Sequence, residues 1–189
     1  YGTRGLEALR CFPHLINELT TILKKYDNIS VSIAGEDKIF YGGKNPKIDD
    51  KECTWKEWAM RKLRRNNLHH KVEFTGRLSR SNYIKWLDSS DLHIYLTQPF
   101  VASWSLKDAI FLGKRIIASD VGPVQEYCSH GGMMLVDHRR EGFLCDALDS
   151  LAGEKKVLGS SKVPSRLSGP KTPWADVLVW HPHTNGLTP

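Results

Sequence analysis

Three stretches of the chain carry residue types that suit anion and sugar chemistry. The first is Thr3, Arg4 and Gly5 together with Arg10. Arg4 precedes a predicted helix and Arg10 falls in its first turns. A helix N-terminus attracts anions, and a guanidinium grips phosphate oxygens with a forked pair of bonds. Each such bond is worth about 1.5–3 kcal/mol when well formed. The ordinary alternative is a pair of solvated arginines. The second stretch runs over 97–108, where a predicted strand ends at Thr97 and a helix begins near Ser103. The amides of Ser103, Trp104 and Ser105 begin that helix and are placed to meet a phosphate. Asp108, one turn further on, is placed to accept hydrogen bonds from sugar hydroxyls. The alternative makes Ser103 an N-cap, Trp104 a core residue and Asp108 a dipole contact. The third stretch is the turn Gly76, Arg77, Leu78. Glycine lets the backbone turn tightly beside a ligand, and Leu78 offers an apolar surface to a flat base. The alternative is a bare turn.

Other features carry less. Asp49 and Asp50 resemble a metal-binding pair but stand between Lys47 and Lys51, which favours solvated charge. His69 and His70 read as a surface pair, and His181 and His183 lie in a tail with no metal-ligand spacing. Ser103 and Ser105 lack a G-x-S-x-G elbow, so no hydrolase nucleophile is indicated. Lys56, Arg61, Lys62, Arg64 and Arg65 outnumber Glu57 on one predicted helix. Such a stripe suits an anionic membrane or RNA and is more often a solvated face.

The elements that must position these residues alternate. Apolar residues at three- and four-residue steps predict a helix over 7–26, with Pro13 in its first turn and Lys24 and Lys25 at its end. Strands are predicted over 29–35, 72–76, 92–97, 115–119 and 133–136. Helices are predicted over 55–65, 79–87, 103–112, 124–128 and 141–151. Thr54 and Glu57 form a capping box for the helix at 55, and Gly113 ends the helix before it. Residues 36–53 read as a long polar loop. Strand–helix alternation through 152 predicts a Rossmann-like three-layer α/β/α fold around a parallel sheet, with ligands beyond the carboxyl ends of its strands. Residues 153–189 are rich in Ser, Pro and Gly and are predicted to be an atypical, partly disordered tail.

Composition narrows the field. The 189 residues are 40% hydrophobic and 25% charged, which fits one globular domain and excludes a wholly disordered chain. Cys11, Cys53, Cys128 and Cys145 form no C-x-x-C pair, so reduced thiols and a cytoplasmic setting are expected. No apolar run is long enough to span a bilayer. The chain does not begin with Met, and a piece of a longer protein is expected. The net charge of +6 suits nucleic acid, a membrane surface or a phosphate-bearing small molecule. Basic residues do not alternate with stacking aromatics, so nucleic acid is not expected.

The ordered blocks at 74–76, 92–96, 105–109, 113–119, 122–126 and 135–137 together resemble the C-terminal, donor-binding domain of the family four retaining glycosyltransferases. The resemblance spans about residues 3–152. It implies the C-terminal half of a GT-B fold, two Rossmann-like domains with the active site between them. It also implies roles. Arg4 and Arg10 match the basic pair that holds the donor diphosphate. Gly76, Arg77 and Leu78 match the turn beside the nucleobase. Ser103, Trp104 and Ser105 match the segment whose amides meet the distal phosphate. Asp108 matches the acid that binds the donor ribose, and Glu126 a recurrent Glu in the next helix. Phe100, with Val101 beside it near the transferred sugar, replaces the family's first acid. Asp108 is one methylene shorter than the usual Glu, and Ser103 replaces a glycine. A subset of the family shares the run Pro-Phe-Val-x-Ser-Trp-Ser-Leu.

The resemblance therefore implies a retaining, metal-independent transferase that takes a nucleotide diphosphate sugar as substrate and needs no cofactor. Its acceptor-binding N-terminal domain is expected to lie outside this sequence, and the first strand is expected to be largely missing too. This fragment alone is expected to be inactive, with no catalytic base of its own. Polysaccharide biosynthesis and peripheral membrane association are expected of the whole protein. The alternatives are a non-catalytic nucleotide-binding module and a GT-B-type sugar-nucleotide epimerase.

Overall fold

A computed structural model describes residues 1–128 and 132–157. The chain divides into two compact units, Tyr1–Gly159 and Ser160–Pro189, and the described residues all belong to the first. Most of the predicted tail, with His181 and His183, lies outside the described residues.

The element order is β1 (Gly2–Gly5), a 3-10 turn (Ala8–Arg10), α1 (Phe12–Lys25), β2 (Val31–Glu36), β3 (Lys47–Ile48), β4 (Lys51–Glu52), α2 (Trp55–Arg65) and a second 3-10 turn (His69–Lys71). Then follow β5 (Val72–Gly76), α3 (Arg80–Asp88), β6 (Leu92–Tyr95), α4 (Trp104–Phe111), β7 (Arg115–Ser119), α5 (Gly122–Gln125), β8 (Met133–Val136) and α6 (Phe143–Val157). Two three-stranded parallel sheets result, β1-β2-β5 and β6-β7-β8. The single predicted sheet is thus divided by a seam at which β1 lies against β6 with no ladder between them.

Side chains alternate across these sheets, and two cores follow. Ile33 of β2 and Ile117 of β7 join α1, α2 and α6 in one core. Ile116 and Ala118, the neighbours of Ile117, turn the other way and pack with Leu87, Leu106 and Ala109 of α3 and α4. The period of two along β7 therefore builds helices onto both faces. In α1, Phe12, Leu15, Ile16, Leu19, Ile22 and Leu23 are all buried, each such side chain contributing about 1.5–3 kcal/mol by burial.

Three expectations are corrected. The helix predicted over 7–26 is interrupted at Cys11, which takes a left-handed φ of 52° and separates the 3-10 turn from α1. Periodicity of apolar residues survives such a break, so the pattern alone does not reveal it. The first strand is present as β1, and Arg4 lies within it and not ahead of a helix. The loop over 36–53 contains the antiparallel hairpin β3–β4. Its two turn residues, Asp49 and Asp50, have φ of 50° and 62°, as a two-residue hairpin turn requires. Asp49 pairs with Arg61 at 2.6 Å, so this acidic pair serves the turn. The capping box at Thr54 and Glu57 forms as predicted, and Ser79 caps α3.

Candidate functional site

The chain runs outward from β1 to β2 and β5, then returns to β6 and runs outward the other way to β7 and β8. The order reverses at the seam, and open parallel sheets bind ligands in the crevice beyond the carboxyl ends of strands at such a reversal. The 3-10 turn after β1 places Arg10 there. Its side chain is buried, and Nη1 donates to Tyr95 Oη at 3.3 Å and to Thr97 Oγ1 at 3.0 Å. Its guanidinium lies 5.2 Å from the ring centres of both Tyr41 and Phe100, which are 5.3 Å from each other. Arg10 is therefore fixed from two sides by hydroxyls and aromatic faces.

Tyr41 reaches Arg10 because the loop after β2 is anchored. Leu6 N–H donates to Glu36 O at 3.0 Å. Glu7, fully buried, accepts the N–H of Phe40 at 3.2 Å and of Tyr41 at 3.0 Å on one carboxylate oxygen. Gly5 permits the approach: a Cβ there would stand 2.2 Å from the Lys38 carbonyl oxygen. Phe40 in turn lies beneath the guanidinium of Arg4, 4.3 Å from ring centre to Cζ. Unlike Arg10, Arg4 is exposed.

Arg4 lines a cleft of about 230 Å³ with Thr3, Ala34, Gly35, Glu36, Phe40, Gly76, Arg77, Leu78 and Tyr83. The first and third predicted stretches thus meet in one cleft at the carboxyl ends of β1, β2 and β5. Gly76 has a φ of 70°, a conformation that favours glycine. Arg77 is exposed and stands 3.7 Å from Glu36 Oε2.

The second stretch approaches from α4. Ser103 N–H donates to Tyr95 Oη at 3.0 Å, so the same hydroxyl holds both Arg10 and the start of α4. Of the three amides predicted to meet a phosphate, that of Ser103 is already engaged. The hydroxyls of Ser103 and Ser105 are 2.6 Å apart. Asp108 is buried, and both its oxygens are held by Arg80 in a forked pair, with Oδ1 at 2.7 Å from Nη2. Tyr83 lines the cleft and senses the charge of Asp108. Burial first, and then the Asp108 charge, push its phenol above its ordinary value, so it stays protonated. Trp104 is 60% and Val101 67% exposed, which corrects the alternative that buries Trp104 in the core. The Lys107 ammonium lies 5.2 Å from the centre of the Trp104 ring. Phe100 is half-buried, and Glu126 is exposed at the end of α5.

Sequence reasoning omits Glu7, Glu36, Phe40, Tyr41, Arg80, Tyr83 and Tyr95 from the site. The available signal for two of them is Phe40 and Tyr41, adjacent aromatics inside a polar loop. The basic residues of α2 lie apart from this cleft. Lys56, Arg61, Arg64 and Arg65 line a broad hollow of about 740 Å³ with Met60, Asp37 and Glu57. No group of three or more His, Cys, Asp or Glu able to hold a metal occurs among the described residues. No helix among them is long and apolar enough to cross a membrane.

No protein-family model matches the sequence, and no curated protein sequence matches it. Solved structures match the fold. The HepE protein of Anabaena in complex with UDP is 16% identical, with a TM-score of 0.62 over 82% of this chain and 39% of that one. A glycosyltransferase from Rickettsia africae is 15% identical, with a TM-score of 0.65 over 84% of this chain and 37% of that one. The C-terminal domain of a glycosyl transferase group 1 family protein, LpcC, from Francisella tularensis is 19% identical, with a TM-score of 0.61 over 83% of this chain and 77% of that one. The chain spans about two fifths of the length of the first two. At these identities the likeness is one of fold, and that fold is the α/β architecture of GT-B glycosyltransferase domains.

Proposed function

We propose that this chain is the donor-binding half of a retaining, metal-independent glycosyltransferase of the family four type, which moves a sugar from a nucleotide diphosphate to an acceptor. The observation that carries the reading is the cleft joining Arg4 to Gly76, Arg77 and Leu78 at the carboxyl ends of β1, β2 and β5. It sets a cation beside an open glycine turn and an apolar side chain, a combination suited to a phosphate next to a base. The likeness in fold to a UDP complex and to other glycosyltransferases supports it. The diphosphate lies between Arg4 and the start of α4, where Ser103, Trp104 and Ser105 approach. As the glycosidic bond breaks, negative charge grows on the diphosphate, and the two arginines stabilise it. Arg10 contributes from a fixed position, since Tyr95, Thr97, Tyr41 and Phe100 already hold it. Positive charge from arginine takes the place of a metal, and no cofactor is called for.

Asp108 serves the donor ribose through the edge of its pair with Arg80. Phe100 and Val101 flank the transferred sugar. The acceptor enters from an N-terminal domain, and the basic face of α2 faces an anionic membrane surface in the whole protein. Calorimetric titration of the full-length protein with GDP- and UDP-sugars is the test. Loss of one charge-assisted contact in Arg4→Ala is expected to weaken binding about 10- to 150-fold. The product is expected to keep the donor's anomeric configuration by NMR. A full-length protein that binds no nucleotide sugar refutes the reading.

One observation favours a second reading, a non-catalytic nucleotide-binding module. Phe100 packs against Tyr41 and Arg10 at the position where the resembled family carries an acid. Binding without turnover in the full-length protein would select it.

A further inference from the structure

The cleft carries charge in a pattern that distinguishes nucleobases. Glu36 ends β2 and Arg77 follows the last residue of β5, and these two strands are paired in parallel with Ala34 opposite Gly76. Gly76, with its φ of 70°, turns the chain at the end of β5, and Arg77 beyond it brings Nη1 to 3.7 Å from Glu36 Oε2. That contact is single and loose, unlike the fork between Arg80 and Asp108. Arg77 is 83% exposed, and such a surface pair contributes little, so it yields readily to a ligand that satisfies both groups. The cleft beside them is open at Gly76. A Cβ built on Gly76 would meet nothing within 4 Å, and Leu78 and Tyr83 supply flanking surface.

We infer that this cleft selects guanine, so that the donor is a guanosine diphosphate sugar; the inference rests on the nucleotide-sugar reading above. Guanine presents two adjacent donors, N1–H and the 2-amino group, which match the two oxygens of one carboxylate. Beside them lie two acceptors, O6 and N7, which match the fork of a guanidinium. Glu36 takes the first pair and Arg77 the second, and the two groups are neighbours in the cleft as the two edges are neighbours on the base. Uracil offers Glu36 one donor, N3–H, flanked by two carbonyl oxygens that the carboxylate repels. Adenine offers one amino group and no ring N–H. A carboxylate at this place thus ranks guanine first and uracil last.

The experiment is calorimetric titration of the full-length protein with GDP, IDP, ADP and UDP, repeated on Glu36→Gln and Arg77→Leu. GDP is expected to bind about 10- to 100-fold more tightly than UDP, the range of one good two-point base contact. IDP, which lacks the 2-amino group, is expected to fall between them. Glu36→Gln is expected to bring the GDP-to-UDP ratio to about three or less, because its amide presents a donor where guanine also donates. Circular dichroism on both variants checks that they fold. UDP binding as tightly as GDP to the unaltered protein overturns the guanine inference and leaves the nucleotide-sugar reading standing. A GDP preference that survives both substitutions overturns the assignment to Glu36 and Arg77. A protein that binds none of the four nucleotides overturns the reading and the inference together.

Discussion

Replacing Glu7 by alanine tests how the aromatic loop is held over the two arginines. Glu7 is fully buried, and one of its oxygens accepts two backbone N–H groups, from Phe40 at 3.2 Å and Tyr41 at 3.0 Å. Hydrogen bonds to a charged acceptor are worth about 1.5–3 kcal/mol each, which sets a range of roughly 3–6 kcal/mol for the pair. Tyr41 is 40% exposed, so its amide regains water when the loop loosens, and the lower end, about 3 kcal/mol, is expected. That is a large part of a total stability of about 5–15 kcal/mol. It corresponds to a fall in Tm of about 6–12 °C for a chain of this size. Urea unfolding followed by circular dichroism measures it, as a lower midpoint with an unchanged slope. Glu7→Gln keeps one acceptor oxygen without the charge and is expected to lose about half as much. A Glu7→Ala protein within about 1 kcal/mol of the unaltered one would refute the reasoning, because the two bonds would then contribute nothing beyond solvent exchange.

Three further outcomes are expected. Glu18 is buried on α1 and accepts the N–H groups of Gly142 at 2.8 Å and Leu144 at 3.1 Å at the start of α6. Glu18→Ala should destabilise by about 3 kcal/mol in urea titration and raise amide exchange in α6 before other helices. Thr54→Ala, which breaks the capping box of α2, should cost about 1 kcal/mol, and Thr54→Ser almost nothing. His93 is wholly buried and burial pushes its pKa well below the ordinary value. The unfolded chain therefore takes up a proton that the folded chain refuses, so stability is full above pH about 6.5 and declines as the pH falls below it. Unfolding midpoints measured from pH 7.5 to 5 should show that decline, and His93→Leu should flatten it.

The layers of the fold were legible because burial alternates by simple periods. Val72 to Gly76 and Arg115 to Ser119 read as strands and are strands, and Thr54 announced α2 through its capping box. The break at Cys11 was hidden, since a single left-handed residue leaves the apolar spacing on either side intact. The hairpin at 47–52 was hidden for the opposite reason: its strands are two residues each, too short for any period to show. In the site, the charged residues were visible by type but their partners were not. By type and spacing Asp108 is an acceptor for sugar hydroxyls, yet Arg80 from α3 closes on it. By type and spacing Arg10 is a phosphate ligand at a helix start, yet Tyr95 and Thr97, far along the chain, already accept from it. Such pairings depend on which strand ends meet at the seam, and local spacing carries no record of that.

These partners divide the site into fixed and yielding groups, and the division has a chemical consequence. Arg10 and Asp108 are buried and each is held by more than one bond. A charge held so does not reorient when a ligand arrives, which is the condition under which an electrostatic contact acts most strongly on developing charge. Glu36 and Arg77 are more open to water, and their contact is the loose one at 3.7 Å. Groups of that kind pay little to exchange one partner for another, so they suit recognition of a part of the ligand that does not react. On the proposed reading the reacting diphosphate therefore meets the fixed side of the crevice at Arg10, and the unreacting base meets the yielding side at Glu36 and Arg77. Substitution on the two sides should then separate in kinetics. Replacing Arg10 should lower kcat more than it raises KM, and replacing Glu36 should raise KM with kcat nearly kept.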